Sequence, residues 1–288
     1  MSSAPASERL GAVDFLKRRF RDEVKNSRHK QIFLDLFGGC GRLSRALRVL
    51  GWGSINFEIE DDERYNLEDS QVVSLIAGWV NSGCIAGVFL GTPCATWSRA
   101  RRGLPGTPGG PLRSAAFVMG LPGLPAIDQL KVRAGNRQLR VSCRILHEAI
   151  RAGVPCGIEN PAGSWIWKSP PLAHLSSLPS ARKDCFDMCS YGTPWRKRTR
   201  MSFWHVPHPL GGHSCSSKHG ICQYSHKHHI VLQGKDPHGV MWTRRAQAYP
   251  NRLAKRLAQL LIQSADQVHL NRLFALGVGL RVPGHKLG

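Results

Sequence analysis

The run IFLDLF (32–37) is apolar except for one acid and has the length of a strand. It leads at once into GGCGR and then LSRALRVL, whose apolar positions recur at helical spacing, so this stretch predicts strand, glycine turn and helix. Residues 54–60, SINFEIE, alternate Ile55, Phe57 and Ile59 with Asn56, Glu58 and Glu60, and predict a second strand followed by a helix through SQVVSLIAGWV. IAGVFLG (85–91) predicts a third strand and VPCGIENP (154–161) a fourth, with a helix over 128–152 clearest at Leu139, Cys143, Leu146 and Ile150. Ahead of these, residues 8–27 carry Val13, Leu16, Phe20 and Val24 at helical spacing among Lys and Arg.

Between the third strand and the long helix, residues 103–127 are crowded with Gly and Pro, which strand and helix interiors tolerate poorly, and predict a long loop. From about 182 the chain turns to short, basic, His- and Cys-rich segments, and NRLAKRLAQLLIQ (251–263) predicts a closing helix before a tail that frays from 264. Regular alternation of strand and helix predicts a doubly wound α/β fold, Rossmann-like, with a parallel sheet covered on both faces and ligands at the carboxyl ends of its strands.

At 288 residues with 42% hydrophobic content the chain can bury a sizeable core. Its 40 Lys and Arg against 19 Asp and Glu leave a formal charge of +21, which points to a polyanionic partner and first to nucleic acid, with an anionic membrane surface the alternative. The N-terminal stretch holds no continuous apolar run, and no segment has the ~18 uninterrupted apolar residues of a span, so a protein without membrane insertion is expected. Nine cysteines without a regular framework predict reduced thiols and an intracellular setting, the nucleus in a eukaryote.

Three groups then carry chemistry. A glycine turn after a first strand brings backbone close to a ligand, and an acid ending the second strand suits a ribose hydroxyl pair, as Glu58 does 23 residues beyond Asp35. Cys94, in GTPCATWSRARRG (91–103), is either a small buried hydrophobe or a nucleophile whose thiolate Arg99, Arg101 and Arg102 would favour. Glu159, ending the fourth strand, falls on the same sheet edge as Cys94, where it becomes a candidate acid.

In this order the residues resemble the DNA cytosine-5 methyltransferases, which use S-adenosylmethionine. The family's D-L-F-x-G-x-G turn is matched by Asp35, Leu36, Phe37, Gly39 and Gly41, its ribose acid by Glu58, its Pro-Cys by Pro93 and Cys94, and its Glu-Asn by Glu159 and Asn160. Residues 189–201, CSYGTPWRKRTRM, look like its tyrosine-glycine, proline and arginine strand, through Tyr191, Gly192, Pro194 and Arg196 or Arg198. The resemblance covers about residues 31–204. It departs at Ala95, where the family has Gln, at Pro161, where it has Val, and at the closing Gly-Asn-x-Val motif, whose place AYPNRLAKRLAQLL takes.

The resemblance implies a methyltransferase sheet and a reaction. The Cys94 thiolate adds to cytosine C6, Glu159 donates to the N3 side, and Arg196 or Arg198 holds the O2 edge. Asp35, Phe37, Gly39, Gly41, Glu58 and Pro93 line the S-adenosylmethionine site, with Asp69, or Asn66 in competition, reaching the adenine amino group. Arg99, Arg101, Arg102, Lys197 and Arg200 are the expected nucleic-acid contacts, on DNA first. An RNA cytosine methyltransferase and an inactive nucleic-acid-binding protein are the alternatives, and a monomer is the expected state. The implied organisation is an N-terminal basic helix (1–30), a cofactor-binding catalytic domain (31–181), a small basic recognition subdomain (182–245), a closing helix (246–266) and a tail (267–288).

Within the recognition segment, seven of the thirteen histidines lie between His205 and His229, together with Cys215 and Cys222. Cys215, Cys222 and His229 are separated by six intervening residues each, and Cys189 completes a Cys₃His set for structural zinc.

Overall fold

A computed structural model describes residues 10–27, 29–99, 101, 104, 107 and 109–275. Its centre is a six-stranded sheet built from β1 (Ile32–Leu36), β2 (Gly53–Phe57), β3 (Ile85–Leu90), β4 (Cys156–Pro161), β5 (Ala181–Asp187) and β6 (Arg198–Trp204), in the order β2-β1-β3-β4-β6-β5. The first four pair in parallel, as the alternation of patterns predicts. β6 runs antiparallel to both β4 and β5, so the sheet is mixed. The expected recognition segment is thereby divided: residues 182–204 lie largely within the sheet, and the loop-rich part begins only after Trp204.

The helices are α1 (Ala12–Asn26), α2 (Arg42–Val49), α3 (Ser70–Asn81), α4 (Ala126–Arg151), α5 (Pro170–Ser176), α6 (Trp242–Arg245) and α7 (Asn251–Ala275). Side chains alternate across each strand and so feed two cores. Ile32, Leu34 and Leu36 of β1, with Val88 and Leu90 of β3, meet Leu16 of α1, Val72 and Ile76 of α3, and Leu139 and Leu146 of α4. Phe33 and Phe89, facing the other way, meet Leu43 and Leu47 of α2 and Leu253, Leu257 and Leu261 of α7. The result is a helix–sheet–helix sandwich. No described helix is long and apolar enough to cross a membrane.

Two features differ from the sequence reading. The closing helix does not fray at 264 but continues to Ala275, because Ala265 still packs on the sheet core and Ser264 returns a hydrogen bond to the Leu260 carbonyl. The strand over 54–60 ends at Phe57, leaving Glu58 and Ile59 just beyond the ladder. The predicted loop holds: no helix or strand occurs between β3 and α4 among the described residues. β2 and β3 flank β1 on opposite sides, so the crossovers reverse there and open a crevice at the carboxyl ends of the strands.

Candidate functional site

The glycine turn after β1 is held open by backbone conformation. Phe37, Gly39 and Gly41 have φ of 53°, 54° and 65°, values that only glycine takes freely. Gly38, which the motif leaves unspecified, is the sterically strictest position: a Cβ there would lie 2.1 Å from Asn56 Oδ1 and 2.7 Å from Asp35 Cγ. Asn56 in turn donates to the Gly39 carbonyl at 3.1 Å, tying the end of β2 to the turn.

Glu58 accepts from the Gly39 amide at 3.0 Å, so the predicted acid does reach the predicted turn. Beside it Ile59 is 54% exposed, an apolar surface on the same lip that sequence reading counted only as part of a strand pattern. Asp35 serves a different purpose. Its Oδ2 accepts from both the amide and the hydroxyl of Ser44, satisfying a donor in the first turn of α2, while Oδ1 is buried without a partner. Burial raises its carboxyl to about 7 against the Ser44 hydrogen bonds, with the charge of Glu58 adding to the rise. Asp69 caps α3 by accepting from the Gln71 amide, and Asn66 Oδ1 accepts from the Glu68 amide, so both are engaged in local turns.

Cys94 follows β3 directly. Its carbonyl accepts from the amides of Trp97 and Ser98, and the Thr92 carbonyl behind it accepts from Asn160 Nδ2 at 2.7 Å. That hydrogen bond binds the Pro93–Cys94 corner to β4 and, one residue away, to Glu159. The Glu159 side chain is mostly buried, its Oε2 3.4 Å from the Tyr249 hydroxyl and its Oε1 3.8 Å from Lys197 Nζ. The Lys197 side chain is only 15% exposed and also donates to the Ala246 carbonyl. Burial pushes the Cys94 thiol up, the Lys197 ammonium opposes this, and the Glu159 carboxylate reinforces it. Cys94, Glu159, Lys197 and Tyr249 thus form one electrostatically connected group at the carboxyl ends of β3 and β4.

The expected arginines are elsewhere. Arg196 and Arg198, assigned from the resemblance to the O2 edge, instead converge on Asp187 Oδ2, at 3.1 and 3.6 Å. Lys197 precedes β6 at a positive φ of 23°, and its side chain reaches Glu159 while those of its two neighbours reach Asp187. Lys197, expected as a nucleic-acid contact, is therefore the cation of the site. Among the described residues the thiol's positive neighbour is this lysine and not Arg99 or Arg101: Arg99 is exposed with its guanidinium 4.9 Å from the Trp165 ring centre, and Arg101 donates to the Gly110 carbonyl. Arg200 stacks 4.2 Å from the Trp167 ring centre and donates to Ser202, a half-buried structural role. Arg102 lies outside the described residues, as do 276–288 of the expected tail.

Sequence reading passed over Tyr249 and Arg113. Tyr249 had a signal in the AYPNRL segment placed where a closing motif was expected; Arg113, inside a Gly/Pro-rich loop, had none. The Arg113 side chain is buried, 3.3 Å from the Trp97 ring centre, and donates to Thr96, Val118, Val132 and Asn136, fixing the loop that follows Cys94.

Beyond the end of β5, Cys189, Cys215, Cys222 and His229 bring their donor atoms within 4.8 Å of one another and could hold a metal ion. The three cysteines are buried, Cys215 Sγ lies 3.9 Å from His229 Nε2, and His229 Nδ1 is 3.1 Å from Ser217 Oγ. Burial and the neighbouring sulfurs push the Cys189 thiol up. At Cys222 burial also acts upward, but hydrogen bonds from Ser225 and the Tyr224 and Ser225 amides prevail and bring the thiol down to about 6. The sequence-predicted set is therefore assembled as predicted.

No protein-family model matches the chain, and no curated protein matches it.

Proposed function

We propose that this chain transfers a methyl group from S-adenosylmethionine to C5 of cytosine in nucleic acid, with DNA the first substrate. The observation that carries the reading is the convergence of Cys94, Glu159 and Lys197 at adjoining strand ends, beside a glycine turn that Glu58 closes.

Cytosine C5 is a weak nucleophile until a group adds at C6. Cys94 supplies that group: its sulfur bonds to C6, and the electron pair of the C5–C6 double bond moves toward C5 and the N3–O2 side. Glu159 in its acid form donates to N3 as negative charge builds there, and Lys197 takes the O2 edge. After C5 gains the methyl group, the pair of the methyl's former C–S bond leaves with the donor as a thioether. Water takes the C5 proton, the C5–C6 double bond re-forms as the C6–S bond breaks to free the Cys94 thiolate, and N3 returns its proton to Glu159. A base stacked in a duplex cannot present C6 to a thiol set among strand ends, so the nucleotide is flipped out at a cost of about a few kcal/mol. The +21 charge suits the polymer.

S-adenosylmethionine supplies an electrophilic sulfonium methyl when bound. The residues fit it: the Gly39 Cβ position is open space, Glu58 is oriented to the turn from the end of β2, and exposed Ile59 offers an apolar face to a base. Gly39, Gly41 and Phe37 would form its backbone cradle, and Glu58 would take the ribose hydroxyls.

The test is covalent trapping. With S-adenosylmethionine and 5-fluorocytosine-containing DNA or RNA, the reading requires an adduct that Cys94→Ser abolishes, and the polymer that traps identifies the substrate. No adduct on either polymer, with the cofactor bound, overturns it. For the Cys/His group we assign zinc, since three thiols and an imidazole in a small buried cluster suit its tetrahedral S/N preference. Metal analysis of the purified protein showing no stoichiometric zinc would remove that assignment.

A further inference from the structure

One buried carboxylate joins the Cys/His group to the turn that carries Lys197. Asp187, at the end of β5, is 0% exposed. Its Oδ2 accepts from the Cys215 amide at 2.7 Å and from Arg196 Nε at 3.1 Å, and pairs with Arg198 at 3.6 Å. Cys215 belongs to the metal-ligating set, Cys189 follows Asp187 by two residues, and Arg196 and Arg198 are the chain neighbours of Lys197. Further ties run the same way. The Met188 amide donates to the Arg196 carbonyl, Arg198 donates to Ser214 Oγ, and the Ile230 amide donates to the Pro194 carbonyl. The turn that presents Lys197 is thus gripped from outside by the loop that carries Cys215, Cys222 and His229.

That loop has little regular structure to hold it. Between β6 and α6 it contains one short 3-10 turn and two isolated bridges, and His205, Ser217, His219 and His226 take positive φ. A segment of this kind keeps its shape when an ion ties its ligands together. Lys197 is itself at φ 23°, a conformation a lysine keeps only when its surroundings impose it.

We propose that the metal held by Cys189, Cys215, Cys222 and His229 acts through Asp187 to hold Lys197 beside Glu159, so that the reactivity of the Cys94 thiol at the same strand ends depends on metal occupancy. The inference rests on the zinc assignment, and it is independent of whether methyl transfer occurs. Asp187 is a positioning residue in it. The groups that act on the Cys94 thiol are Lys197, Glu159 and Tyr249, and of these only Lys197 sits on the Asp187-anchored turn.

Thiol reactivity tests it without reference to activity. The full chain is treated with iodoacetamide at neutral pH, and alkylation of each cysteine is followed by peptide mass spectrometry in three states: as purified, after a zinc chelator, and after Zn²⁺ is restored. Loss of an adjacent cation raises a thiol by about one pKa unit, so chelation should slow Cys94 about tenfold while exposed Cys40 is unchanged, and Zn²⁺ should restore the rate. An Arg196→Ala, Arg198→Ala double variant removes two half-exposed side chains and should slow Cys94 similarly with zinc still bound. An unchanged or faster Cys94 rate, once Cys215 and Cys222 have become alkylatable, overturns the proposal. If the purified protein holds no metal and chelation leaves Cys215 and Cys222 protected, the zinc assignment fails, and a normal Cys94 rate in the double variant then removes the link through Asp187 as well.

Discussion

The Tyr249 hydroxyl donates to Glu159 Oε2 at 3.4 Å, joining the segment before the closing helix to the end of β4. The ring is buried against Phe89, and a Cβ on Gly91 would meet its hydroxyl at 3.3 Å, so Gly91 at the end of β3 leaves the space that this contact needs. Burial, with the charges of Glu159, Asp35 and Cys94, pushes the phenol well above its ordinary range, which keeps it a neutral donor at any working pH. The segment that leads into the closing helix thereby contributes a group to the site.

Tyr249→Phe keeps the packing and removes the donor. Glu159 acts in its acid form, and an ordinary hydrogen bond contributes about 0.5–1.5 kcal/mol, so turnover should fall about two- to tenfold. S-adenosylmethionine affinity, read by calorimetry, should not change, because Tyr249 faces Glu159 and not Glu58. Equal turnover in the variant and the wild type would leave the contact a packing feature.

The pH dependence of the thiol reflects its two charged neighbours. Burial raises Cys94 above the usual thiol value, so adduct formation should climb with pH through and beyond the ordinary cysteine range. Lys197→Gln removes the charge that opposes this rise, and the alkaline limb should move to higher pH still. A limb that stays in place or moves down contradicts the assignment of Lys197 as the site's cation.

Glu58→Ala should weaken S-adenosylmethionine binding about ten- to hundredfold, the worth of a charge-assisted hydrogen bond to a ribose hydroxyl. The same variant frees the Gly39 amide, which Glu58 caps. Cys94→Ser should bind the cofactor like the wild type. Calorimetric titration of the three proteins separates cofactor binding from catalysis.

Much of this arrangement is legible in the chain because strand patterns are strong where a sheet is buried on both faces. IFLDLF and IAGVFLG need no partner information to read as strands, and the residues that end them must share an edge if the strands are parallel. The Cys₃His set is legible from spacing and donor type. What was not legible depends on backbone conformation and on tertiary contact. The backbone conformation of one residue before β6 decides whether Lys197 or its arginine neighbours reaches Glu159, and the RKRTR run looks alike in either case. Asp35 sits inside a cofactor motif, yet its carboxylate is spent on Ser44. Arg113 is a cation in a Gly/Pro-rich loop, and only its burial against Trp97 distinguishes it from Arg99 or Arg101.

Asp35 sets a stability test of definite sign. Its carboxyl is raised from the ordinary 3.8 to about 7, chiefly by burial, so its contribution to stability is complete below about 4 and is lost as pH rises through 7. Asp35→Asn can still accept from Ser44 and carries no charge to desolvate. Urea unfolding measured from pH 4 to 8 should show the wild type losing stability toward the alkaline end relative to the variant. A gap between the two proteins that is constant across this range would mean that the carboxyl stays ionised throughout.

Arg113 ties the loop after Cys94 to the long helix, and its replacement should loosen the nucleophile before it unfolds the sheet. The side chain is 2% exposed, lies against Trp97, and pairs with no carboxylate among the described residues. Its partners are instead the Thr96, Val118 and Val132 carbonyls, the Thr96 hydroxyl and Asn136. Gly135 makes the approach possible, since a Cβ there would meet Thr96 Oγ1 at 2.4 Å. Arg113→Met retains much of the volume but leaves the part-buried Thr96 and Val118 carbonyls and the buried Val132 carbonyl without this donor. Destabilisation of at least about 1 kcal/mol, the cost of one unpaired buried acceptor, is expected in thermal unfolding. Limited proteolysis should cut between residues 101 and 121 well below the melting temperature, while the Cys/His group keeps its metal. Arg113→Lys, with a single donor head in place of a planar fork, should recover only part of the loss. If Arg113→Met resists protease as the wild type does, the loop is held by its other contacts and Arg113 does not position Cys94.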